Sequence, residues 1–157
     1  MLVAPHAAAG AAIGALVPVP ALALPLAVAS HFVLDVVPHW QETLSPYTPT
    51  RRTWLRIPID FVVAAGVTAI LARRSRGRSL VWLSAGFGTL PDIDSLLYLI
   101  PGSKGRFALV RPYLGWHAGI QHETSSLWGL FPQIGLVLAC LMAVRPDGQA
   151  EGRSPSA

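Results

Sequence analysis

Charge and sulfur are what this sequence has least of. Asp, Glu, Lys and Arg make up only 13% of the 157 residues, against about 25% in an ordinary soluble domain. The first 50 residues contain no Lys or Arg at all. Cys140 is the single cysteine, which excludes an intramolecular disulfide framework and a cysteine-based zinc finger. The 14 Gly and 14 Pro follow no G-X-Y period, which excludes collagen. With 52% apolar residues and a mean hydropathy of +0.49, disorder is excluded for most of the length. The length suits one domain. An integral membrane protein is the class that is left.

A net charge of +4 invites a nucleic-acid reading, and the distribution argues against it. The basic residues sit in short clusters between apolar runs: Arg51, Arg52 and Arg56; Arg73, Arg74, Arg76 and Arg78; Lys104, Arg106 and Arg111; Arg145 and Arg153. Membrane proteins place loop charges this way. No basic stripe with interleaved aromatics occurs, so no nucleic-acid partner is expected.

Five apolar stretches can be drawn, at 7–18, 21–37, 57–72, 79–91 and 127–144. Crossing a bilayer takes about 20 helical residues, and several stretches are shorter. The expectation is an all-α polytopic membrane protein with four or five short transmembrane helices, multi-pass in the cell membrane. Residues 1–144 form the helical membrane domain, and 145–157 a polar, disordered tail. Leu26 to Ser30 resembles a signal-cleavage site, but no basic residue precedes Arg51, and a secretory signal needs a basic leader. Val17-Pro18-Val19-Pro20 reads instead as the turn of a retained helical hairpin, because each proline removes a backbone donor. Gly10 and Gly14 would let its helices pack closely.

The polar residues are few enough to place one by one. His6 precedes the first run, and His31, Asp35 and His39 end the second. Asp60 lies near the start of the third, and Asp92 and Asp94 follow the fourth. His117, His122 and Glu123 precede the fifth. If the helices alternate in direction, all five histidines, these four aspartates and Glu123 gather at one membrane face. Each has a plain reading too: a His31–Asp35 pair one helical turn apart, an interfacial anchor at His39-Trp40, an Asx turn at Asp92-x-Asp94, or an Asp60–Arg56 pair. Ionisable groups in apolar helices are nonetheless functional by default. His and Asp are the nitrogen and oxygen ligands of Zn²⁺, Mn²⁺ or Fe. His6, His31, Asp35, Asp92, Asp94, His117 and His122 are therefore the expected ligands of a divalent metal, with zinc foremost. Glu123 or Asp60 is the expected general base, by proximity.

These blocks also carry a resemblance. His6 before Gly10, the SHFVLDVVPHW block from Ser30 to Trp40, the GTLPDID block from Gly88 to Asp94, and His117-x-Gly119-x-x-His122 resemble the inner-membrane-associated metal-dependent hydrolases. That group is also described as LexA-binding membrane proteins. It is distantly similar to zinc-dependent phospholipase C and P1 nuclease, whose helices carry His and Asp ligands. The likeness spans residues 6 to about 130 and implies a membrane-bound metal-dependent hydrolase of a phosphoester or lipid-derived substrate, with membrane lipid as its partner. The chain departs from the pattern at Ala118, where the family often has Arg, and at Glu123, where it often has Ser. Two other readings are a non-catalytic membrane module built on a structural His/Asp network and a small transporter with a proton relay.

Overall fold

The computed structural model describes residues 1–41, 51–93 and 111–146. Asp94 and the 145–157 tail beyond residue 146 lie outside them. Among the described residues the fold is all-helical: α1 (Val3–Leu16), α2 (Pro20–Asp35), α3 (Arg51–Arg73), α4 (Arg78–Thr89), a 3₁₀ turn (Leu90–Asp92), α5 (Arg111–Ile120) and α6 (Ser126–Ala143). Each expected apolar stretch is a helix, and residues 17–19 separate α1 from α2 as the prolines require. Helix α5 was not foreseen.

Helix α1 is the core of the bundle. It packs against α2, α3, α4 and α6 and is buried almost all round, from Ala4 to Ala12. Seven alanines and two glycines in VAPHAAAGAAIGAL make this possible, because small side chains let neighbouring backbones approach. The tightest approach is to α4. A Cβ added at Gly10 would lie 2.3 Å from the Ser84 carbonyl oxygen, and one at Gly14 would lie 2.7 Å from that of Leu80.

The N-terminal end of α1 is tied by long-range polar contacts. The backbone N–H groups of Val3 and Ala4 donate to the two Asp60 carboxylate oxygens, at 2.6 and 3.0 Å. A helix N-terminus leaves such donors without partners and carries partial positive charge, so α3 caps α1. Gln133 of α6 accepts from the Leu2 N–H at 3.0 Å and donates to the Trp40 carbonyl at 2.7 Å. At the opposite end of the bundle, the Arg74 guanidinium donates to the Leu141 and Val144 carbonyls at the end of α6.

The outward faces are apolar. Helix α3 exposes Trp54, Leu55, Ile59 and Val62, and α6 exposes Leu127, Trp128, Phe131 and Met142. These two helices, of 23 and 18 residues, are long and apolar enough to cross a membrane. Among the described residues that is two crossings by length and composition, fewer than the four or five expected. Helices α1 and α2 have 14 and 16 residues, which is shorter than a usual span of about 17–25.

Candidate metal centre

One end of the bundle gathers the polar side chains. His31 and Asp35 share a face of α2, Asp92 stands in the 3₁₀ turn after α4, and His117 lies on α5. One potential ligand atom from each of these four residues falls within a group spanning no more than 4.8 Å. His31 Nε2 and His117 Nε2 are 3.2 Å apart. Two nitrogens bound at about 2.1 Å to one tetrahedral ion sit about 3.4 Å apart. Asp35 Oδ2 lies 3.1 Å from His31 Nε2 and 3.0 Å from His117 Nε2, while Asp92 Oδ1 lies 3.5 and 4.0 Å from the same nitrogens.

Proton placement supports the same reading. His31 Nδ1 is 2.8 Å from the Gly88 carbonyl, which can only accept, so Nδ1 carries the hydrogen. Nε2 is then the nitrogen left to face Asp35 Oδ2 and His117, the direction in which a shared cation would be held. Histidine ligands of metals commonly donate their other N–H to a backbone carbonyl in this way. His31, Asp35 and His117 are buried, and the Asp92 side chain is 19% exposed. Burial pushes the Asp92 carboxyl above the usual carboxylate range. A divalent cation beside it would favour the charged form instead.

His6, on α1, joins the cluster from the other side. Its ring stacks on His31 with centroids 3.9 Å apart and planes inclined by 18°. His6 Nε2 lies 3.2 Å from Asp35 Oδ1 and 3.9 Å from Asp92 Oδ2. Neither contact has the alignment of a hydrogen bond, and both ring nitrogens are buried without a hydrogen-bond partner among the described residues.

Several expected site residues take other places. His122 is exposed; its backbone N–H donates to the Asp35 carbonyl and its own carbonyl accepts from His39 N–H. It therefore joins the end of α2 to the segment before α6 through its main chain, and its imidazole is not one of the four grouped side chains. Asp60 uses both oxygens to cap α1 and is not among the four grouped side chains. Glu123 is exposed and accepts from Gln41 Nε2 at 2.6 Å. Gln41 Oε1 in turn accepts from the Met1 amino group at 2.9 Å, and that group lies 3.2 Å from Asp35 Oδ1. Glu123 is thus linked to the cluster through Gln41. His39 is buried with its Nδ1 donating to the Val37 carbonyl at 2.7 Å, and burial holds its imidazole below the usual range. It pins the end of α2.

An aromatic wall that the apolar runs do not reveal stands beside the cluster. Phe32 lies 5.4 Å from His31 and 5.2 Å from Trp116, centroid to centroid. Tyr113 lies 5.5 Å from His117 and donates to the Pro91 carbonyl at 3.2 Å. The spacing of Tyr113, Trp116 and His117, three and four residues apart, is the helical signal that would have found α5. The chain matches no family model, no curated protein and no solved structure.

Proposed function

We propose that this protein is a multi-pass membrane hydrolase that uses a divalent metal, zinc foremost, held by His31, Asp35, Asp92 and His117. The observation that carries the reading is the convergence of these four side chains, three of them buried, from α2, the 3₁₀ turn and α5. The donor set is nitrogen and oxygen only, which suits zinc and similar divalent ions. A cation held there supplies Lewis-acid polarisation of a phosphoryl or acyl oxygen and an acidified water.

The chain's own residues supply the rest of the site. The Gly88 carbonyl fixes the His31 tautomer and ring direction. Phe32, Tyr113 and Trp116 wall one side, which limits water and offers an apolar surface to a lipid-derived substrate. Glu123, exposed at the same end and held by Gln41, is the acid–base candidate. The apolar outward faces of α3 and α6 support a lipid environment, with shorter α1 and α2 packed between or beside the crossing helices. The resemblance to the inner-membrane-associated metal-dependent hydrolases agrees with this reading, and a membrane-proximal phosphoester is the substrate class it favours.

Turnover is the test. Protein reconstituted in nanodiscs with zinc should hydrolyse members of a panel of chromogenic phosphodiesters and carboxylic esters. A chelator should abolish the activity and zinc restore it. Asp35→Asn should lower kcat by roughly 100-fold, the scale of a lost Lewis-acid contribution of several kcal/mol. Bound metal without turnover on any substrate would instead make the cluster a structural element of a non-catalytic module.

A further inference from the structure

We propose that the cluster holds two divalent cations, with His6 completing a second subsite across the Asp35 and Asp92 carboxylates. The inference rests on the metal reading above and goes beyond its four ligands.

The ring geometry carries it. A ligating lone pair lies in the plane of its imidazole. The His6 and His31 rings are stacked with centroids 3.9 Å apart and planes inclined by 18°, so their planes do not meet within a bond length of either Nε2. Both Nε2 atoms face the same two carboxylates. Stacked rings aimed the same way address two neighbouring points, not one. The His31–His117 pair behaves differently: its rings are tilted by 49°, and its Nε2 atoms converge to 3.2 Å.

The carboxylates divide in the same pattern. Asp35 turns Oδ2 to His31 and His117, and Oδ1 to His6 and to the Met1 amino group, whose place beside that oxygen a second ion would take. Asp92 turns Oδ1 to His31 and His117, and Oδ2 to His6. Each carboxylate thus offers one oxygen to each side, which is how a carboxylate bridges two ions. Ions in two-metal sites lie about 3.5–4 Å apart, a spacing that matches the stacked rings.

His6 is held for this purpose by the packing of its backbone. A Cβ added at Gly88 would lie 2.8 Å from the His6 carbonyl oxygen. The bare glycine therefore lets the end of α4, with Asp92 four residues beyond, press against α1. A histidine serving only as core filler would leave its buried Nε2 without a hydrogen-bond partner among the described residues, which is costly in a core. A cation at the second subsite gives that nitrogen a partner.

Metal stoichiometry and spin coupling test the proposal. After loading with zinc and removal of free ions, wild-type protein in mild detergent should carry two ions per chain and His6→Gln one. Loaded to saturation with manganese(II), wild type should give the exchange-coupled resonance of a bridged pair, and His6→Gln an uncoupled six-line signal. The wild-type spectrum alone decides the matter should the variant fail to fold. One ion in wild type, with an uncoupled spectrum, would overturn the second subsite and leave the four-residue site standing. No bound ion in wild type would overturn both.

Discussion

Replacing His31 and Asp92 by alanine is expected to empty the metal centre, and replacing both is expected to do little more than either change alone. The two residues come from α2 and from the turn after α4, 61 positions apart in sequence, yet they face each other at 3.5 Å. Residues that share one network show strongly non-additive effects, whereas residues acting independently add. Each single variant should therefore retain less than about a tenth of the wild-type occupancy of the four-residue site, equivalent to at least 1.4 kcal/mol in binding there. Asp60→Asn is the control. It weakens the cap on the Val3 and Ala4 N–H groups, so it should lower the unfolding temperature while metal content holds. Metal content unchanged in His31→Ala and Asp92→Ala, with stability lost, would mark the cluster as a structural polar network.

The second large effect is expected at Gly10. A Cβ there would meet the Ser84 carbonyl oxygen at 2.3 Å, the Ser84 carbonyl carbon at 3.0 Å and the Ala85 Cα at 3.2 Å. All three are backbone atoms, so no side-chain rotation can relieve the clash and the two helices must separate. Overpacking a core costs typically about 1–3 kcal/mol, and Gly10→Ala should reach the upper end of that range in unfolding measurements. The site should suffer as well. Helix α1 carries His6, and α4 carries Gly88 and leads into Asp92, so parting them pulls ligands from both sides of the cluster. Gly66→Ala is the matched control, since nothing lies within 4 Å of its added Cβ. That change should stabilise slightly, as expected for Ala over Gly in a helix interior. Equal behaviour of the two variants would show that the α1–α4 contact is looser than described.

Much of this arrangement could be read from the sequence because helix periodicity is local. Asp35 follows His31 by one turn, so a shared face needs no tertiary knowledge. The gathering of His6, His31, Asp35, Asp92 and His117 at one end follows from where each stands relative to its apolar run. The prolines at 18 and 20 likewise mark the α1–α2 turn without help from packing. What the sequence hid depends on distant backbone. The Gly88 carbonyl that orients His31 has no side-chain signature. The capping of α1 by Asp60 joins residues more than 50 positions apart, and in sequence Arg56 was the more obvious partner. His122 looked equivalent to His117, but the main-chain pairing of His122 with Asp35 and His39 leaves its imidazole on the surface. Helix α5 was obscured because it is short and its few apolar residues are interspersed with Pro, Gly and His.

X-ray absorption at the zinc edge, on protein purified in mild detergent and loaded with zinc, tests the metal centre most directly. The account predicts a shell of nitrogen and oxygen scatterers at about 2.0–2.1 Å, with the outer-shell pattern of imidazole. It also predicts no sulfur at about 2.3 Å, since Cys140 lies in α6 near Val144, at the end of the bundle away from the cluster. A zinc edge no stronger than that of the buffer, or a shell containing sulfur, would contradict it.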